Sequence, residues 1–183
     1  AVSDRPDETT GIWHEMEIKC DRKIITISVD GKVTTIADID TVTSMQNKNL
    51  QGAIGFQSNH SNIGEFAHFR NIFLYDLDSE PEYVAAGFYE EDARIRKQAR
   101  EAATKLGAPI IKYLTNMYTD KNTMVHAGAK KALFDIAATS ASPGTLNRDN
   151  KLVVKALETE LKKCDSQSAS SYLGWLIDLA KAK

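Results

Sequence analysis

The spacing of apolar side chains changes once along this chain, at Pro81, and that change restricts the fold more than any other feature. Between residues 13 and 77 apolar positions alternate with polar ones in short runs separated by turn residues, as half-buried antiparallel strands require. Beyond Pro81 they recur once per helical turn. The order is therefore β then α. Residues 1–10 read as an N-terminal tail, residues 11–78 as a partial antiparallel β-sandwich, and residues 79–183 as a helical segment.

The first run places His14, Met16, Ile18 and Cys20 on one face and Trp13, Glu15, Glu17 and Lys19 on the other, which predicts one buried and one wet surface. Ile25, Ile27 and Val29 alternate with Thr26 and Ser28; Asp30-Gly31 then supplies the two positive φ angles of a type I′ turn before the chain returns through residues 33–37. Ile54 and Phe56 mark a fourth short strand, and residues 66–77 a fifth. In the fifth, Phe69, Ile72 and Leu74 break the alternation and predict a bulge near Arg70-Asn71. Five strands make one sheet and part of another. They leave an apolar face that helices or a second chain must cover.

Pro81 stands where a helix start tolerates a missing N–H. From Tyr83 to Leu106 the apolar positions describe one long helical stretch with a break near residues 90–92, and Pro109 opens a second carrying Ile110, Ile111, Leu114 and Met117. Val125, Ala129, Ala132, Leu133, Ile136 and Ala137 form a third stripe, which ends at the breaker cluster 140–144. A fourth holds Leu152, Val153, Ala156, Leu157 and Leu161, and a fifth holds Tyr172, Leu173, Leu176, Ile177 and Ala180. The loops are short, so neighbouring helices run antiparallel. Residues 124–166 make one helix–loop–helix unit of 43 residues, the length of a HEAT or armadillo unit. A HEAT-like repeat segment and a plain helical bundle both satisfy these stripes.

At 183 residues and 42% apolar content the chain suits two small domains better than one large enzyme. Its 23 basic against 25 acidic residues provide no footprint for nucleic acid. No apolar run approaches the roughly 20 residues of a membrane span. The first residues lack the basic and apolar regions of a signal peptide, and the strand pattern starts as though inside a fold, so a segment preceding it is expected. Cys20 and Cys164 lie far apart without metal-site spacing; two buried thiols, or a disulfide joining the segments, are the readings. Asp38 and Asp40, near Asp30, carry hard oxygen ligands but not the spacing of a calcium loop, and are read as a solvated strand end. No metal or cofactor is implied. Nucleophile motifs, phosphate loops and dinucleotide fingerprints are all missing from the sequence.

Four segments occur in an order that carries a resemblance: Gly11-Ile12-Trp13-His14-Glu15-Met16-Glu17-Ile18, then Val29-Asp30-Gly31-Lys32, then Gly52-Ala53-Ile54-Gly55-Phe56-Gln57, then Phe69-Arg70-Asn71-Ile72. This series resembles the C-terminal part of the 3-keto-disaccharide hydrolase family, a bacterial group with a concanavalin- or laminin-G-like jelly roll. His14 and Asp30 stand where that family has asparagine, and His60 lies two residues later than the family's histidine. The resemblance implies a glycoside-hydrolysing activity, a carbohydrate partner and a periplasmic or secreted location. It also implies further N-terminal strands that the activity would need.

Within that frame Trp13 either stacks on a sugar ring or serves as a sheet-face aromatic. Gln57, Asn59 and Asn62 offer the donors and acceptors that sugar hydroxyls require, or form an ordinary turn cluster. His60 is the candidate general base, given an orienting carboxylate and a dry site. Arg70 is expected to pair with an acidic neighbour, Asn71 to satisfy the bulge, and His68 and His126 to have structural roles. Three functions are compatible with these residues. One is a portion of a sugar-active hydrolase, another a carbohydrate-binding or scaffolding module with a helical protein-interaction array, and the third a structural subunit whose sheet is completed by another chain.

Overall fold

Two tight turns with left-handed backbone fold the start of the chain onto itself. The computed structural model describes residues 9–44, 53–56 and 66–182. The chain forms two units, Ala1–Leu74 and Tyr75–Lys183. In the first, β1 (Met16–Asp21), β2 (Ile24–Val29) and β3 (Lys32–Asp38) make an antiparallel meander in the order β1-β2-β3. Arg22, at φ 55°, helps close the first turn, and Asp30-Gly31, at φ 49° and 75°, closes the second as the type I′ pattern predicts. Ile27 pairs with Thr35 but Ser28 pairs with Val33, so Thr34 is the extra residue of a bulge. Thr34 is buried, and its hydroxyl donates to the Ile27 carbonyl at 3.2 Å.

Among the described residues the expected fourth and fifth strands are not formed. Residues 53–56 and 66–76 lie in no ladder, and Leu77–Ser79 is a 3-10 turn. Alternation fixes which way side chains point, but a strand also needs a partner edge for its N–H and C=O groups. The bulge expected at Arg70-Asn71 therefore has no sheet to interrupt; Asn71 adopts φ 52°, a conformation asparagine tolerates better than most residues. The expected burial of one face of β1 also fails. Register puts Met16, Ile18 and Cys20 opposite Val29, Ile27 and Ile25 on a common face. Along it Met16 and Ile18 are 64% and 60% exposed whereas Val29 is 7% exposed. Cys20, expected to be buried, is an exposed free thiol, and Cys164 is a half-buried one.

The second unit has six helices: α1 (Pro81–Ala86), α2 (Ala93–Leu106), α3 (Ile111–Met117), α4 (Thr123–Ala141), α5 (Asn147–Leu161) and α6 (Gln167–Lys181). The first long stretch does break at residues 90–92. Glu90 turns extended, and the Asp92 side chain accepts from the Arg94 N–H at 2.8 Å to cap α2. Asn122 caps α4 in the same manner through the Met124 and Val125 N–H groups. Pro81 and Pro109 each sit in a first turn, Pro109 in a 3-10 turn leading into α3.

Helices two apart in sequence pack side by side, α2 on α4 on α6 and α1 on α3 on α5, so alternate helices form two layers. Their apolar stripes meet in a core that includes Ile110, Ile111, Leu114, Leu133, Leu157, Leu173 and Leu176, all essentially inaccessible. Each such side chain stabilises the fold by about 1.5–3 kcal/mol through apolar burial. Gly128 in α4 explains itself here, because a Cβ would come within 3.2 Å of the buried Phe88 ring. Asn150 of α5 joins two helix ends: its side-chain N–H donates to the Ser140 carbonyl at 3.0 Å and the Ala180 carbonyl at 2.9 Å. These belong to the last turns of α4 and α6, where carbonyls lack intrahelical partners.

Two substitutions separate the buried core from the exposed sheet face. Leu133→Ala should cost about 2–5 kcal/mol of unfolding free energy in denaturant titration, while Ile18→Ala should stay within about 0.5 kcal/mol. An equal loss from both would contradict the burial described for β1.

Candidate functional site

The first unit brings together side chains from sequence segments far apart. Asp30, in the turn between β2 and β3, accepts from the Glu15 N–H at 2.8 Å through one carboxylate oxygen and meets His14 Nδ1 at 2.7 Å through the other. The Asp30 N–H in turn donates to the Glu15 carbonyl at 2.8 Å. A turn aspartate thus clasps the entry to β1. His14 Nε2 lies 3.0 Å from the Thr9 carbonyl, so both ring nitrogens face acceptors. The carboxylate can only accept, so the Nδ1–H of His14 donates to Asp30. The pair ties the entry of β1 to the turn between β2 and β3. The hydrogen bond from His14, followed by that from the Glu15 backbone, holds the Asp30 carboxyl below the usual aspartate value of 3.8.

Trp13, the proposed sugar platform, precedes β1 and is 52% exposed. The Arg70 guanidinium covers one ring face at 3.8 Å from the centroid, a cation–π contact in place of the acidic partner expected for Arg70. Phe69, beside Arg70, packs against Phe56 with ring centroids 4.7 Å apart. His68 meets Phe66 edge to face at 4.8 Å. Trp13 is therefore tied to Arg70, Phe69 to Phe56, and His14 to Asp30, so all four ordered segments are connected in pairs. Gln57, Asn59, His60 and Asn62 lie outside the described residues.

The remaining candidates are structural. Asp38 accepts from the Asp40 N–H at 2.9 Å, and Asp40 pairs with Lys23 at 3.0 Å, the solvated strand end expected from sequence. Among the described residues no group of three or more His, Cys, Asp or Glu side chains could hold a metal ion. His126 Nδ1 bonds the Tyr118 carbonyl. Sequence reasoning missed the Asp30–His14 clasp and the Trp13–Arg70 stack. The available signal was the position of His14 and Arg70 within the ordered segments.

Residues 2–75 match the model of a family described as a 3-keto-alpha-glucoside-1,2-lyase-like domain. No curated protein and no solved structure matches the chain. The N-terminal part of the chain is thus similar to a family of sugar-acting domains, whereas the match stops before α1.

The clasp makes a pH-dependent contribution whose sign follows from Asp30. Its carboxyl is lowered in the folded chain, so the contribution is present above the ordinary aspartate value and is lost as pH falls through the lowered one. Following the Asp30 carboxyl carbon by NMR should give a midpoint below 3.8. His14→Ala should raise that midpoint, and an unmoved midpoint would mean that His14 does not hold it down.

Proposed function

We propose that residues 11–78 form part of a carbohydrate-handling domain whose substrates are glycosides oxidised at C3. The observation that carries this reading is the pairing of the family-matched segments in space, with Trp13 held against Arg70 as the link between the first and last of them. A keto group at C3 acidifies the C2 hydrogen. Removal of that hydrogen by a base lets the glycosidic oxygen leave from C1, and addition of water across the resulting double bond completes a net hydrolysis. In this proposal Trp13 stacks on the sugar ring beside the Arg70 guanidinium, Gln57, Asn59 and Asn62 bind its hydroxyls, and His60 is the base. The exposed Met16 and Ile18 face supports the further proposal that additional strands, from this or another polypeptide, complete a jelly-roll sandwich.

The helical unit is proposed to be a HEAT-like array. What supports this is the stacking of alternate helices into two layers, each touching its neighbours, which is how a helical solenoid grows. The alternative function, a glycan-binding or scaffolding module, would use those layers to hold a protein partner. A periplasmic or secreted location goes with the family resemblance; among the described residues no helix is long and apolar enough to cross a membrane.

The chain should bind a 3-keto-glycoside more tightly than the same sugar unoxidised, by calorimetry, and Trp13→Ala should weaken that binding about tenfold. In the polypeptide that carries the completed sandwich, His60→Ala should slow turnover by about 10²–10⁴-fold. Equal affinity for oxidised and unoxidised sugar would sink the substrate class, and an undiminished rate would remove His60 from the mechanism.

A further inference from the structure

The second unit presents a surface that the proposal for the first does not use. A shallow groove of about 640 Å³ lies between α4 and α6, with Phe134, Tyr172 and Trp175 along it and Lys130, Lys131 and His126 beside them. Trp175 is 50% exposed although the rest of its helix carries a buried stripe of Ala169, Leu173, Leu176, Ile177 and Ala180. Its indole runs nearly parallel to Phe134, 7° between planes and 5.8 Å between centroids, and stacks on Tyr172 at 5.7 Å and 29°. Tyr172 is fixed in turn, stacked on the buried Tyr118 at 5.2 Å and donating its hydroxyl to the Lys130 carbonyl at 2.8 Å. Burial, with Tyr118 and Asp135 adding to it, pushes the Tyr172 phenol up to about 12, so it remains a neutral donor at physiological pH.

These rings are pre-set before any ligand arrives, which lowers the ordering cost of binding. With Trp175 exposed and Phe134 and Tyr172 half-buried, the groove offers a flat ring surface and not a deep socket for a single peptide anchor. Its charge is equally specific. Lys131 is neutralised by Asp135 one helical turn away. Lys130 forms no ion pair among the described residues and holds its ammonium 5.3 Å from the Tyr172 ring centroid. One unpaired ammonium matches one carboxylate; a phosphate dianion would call for a cluster of donors.

We propose that the α4–α6 groove binds an acidic carbohydrate, a uronic-acid-containing oligosaccharide. Its flat C–H face stacks on the exposed Trp175 indole, which Phe134 holds in place, and its carboxylate pairs with Lys130. The Lys131–Asp135 pair supplies a donor and an acceptor for ring hydroxyls. This site is separate from the Trp13 cluster and does not depend on the reading given to it.

Calorimetric titration of the whole chain with a uronic acid trisaccharide, its uncharged reduced counterpart and a mononucleotide tests the assignment. The uronate should bind saturably, more weakly as salt rises. Trp175→Ala and Lys130→Glu should each weaken it by about tenfold or more, with the helical circular dichroism unchanged. Lys130→Glu leaves every ring in place, so it remains informative if Trp175→Ala disturbs packing. No saturable uronate binding, equal binding of the uncharged sugar, or preference for the mononucleotide would overturn the proposal. Loss of uronate binding in Trp13→Ala with Trp175→Ala unaffected would place the sugar on the first unit, and would overturn it as well.

Discussion

An apolar side chain on a helix or strand has to be covered, and the two units of this chain meet that demand to very different degrees. In the helical unit α4 is the element on which the others depend. It touches α2, α3, α5 and α6, and its Val125, Ala129, Ala132, Leu133, Ile136 and Ala137 are buried among them. Small residues at 129, 132 and 137 let neighbouring backbones approach, and Gly128 makes room for Phe88. In the sheet unit the same demand is unmet at Met16 and Ile18 and satisfied at Val29, so burial rises from the edge strand inward.

Polar groups settle what apolar burial leaves undetermined. Hydrophobic contact is non-directional, whereas Asp30 accepts from a ring and a backbone N–H at once and so fixes the angle at which the chain enters β1. Asn150 acts alike in the helical unit, where one amide joins the last turns of α4 and α6. Tyr113 to Glu82 at 2.7 Å and Tyr89 to Asp120 at 2.8 Å tie further pairs of segments 31 residues apart. Each is a single bond, modest in energy, between segments whose packing already brings them close.

In both proposed sites an aromatic ring is held by the same physics. A planar ring that is stacked on one side has few ways to turn, so its remaining surface keeps a fixed orientation for a ligand. Arg70 does this for Trp13, and Phe134 with Tyr172 does it for Trp175. A sugar presents a flat apolar face with polar edges, which is complementary to a held ring with charged or amide groups at its rim.

The sequence by itself determined the order of elements, the change of period at Pro81, the Asp30-Gly31 turn and nearly every helix, because these depend on residue spacing and on local backbone preference. The break at residues 90–92 and the caps at Asp92 and Asn122 follow from residues within a few positions of each other. Tertiary structure alone decided which runs became strands. Ile54 and Phe56 alternate and the residues after Phe66 do so in part, yet among the described residues they form no ladder, since a strand exists only through a partner that spacing cannot reveal. The same holds for Arg70 on Trp13, for the clasp of His14 and for the parallel rings of α4 and α6. Those contacts join residues between 16 and 57 positions apart, and such distances close only when each unit packs.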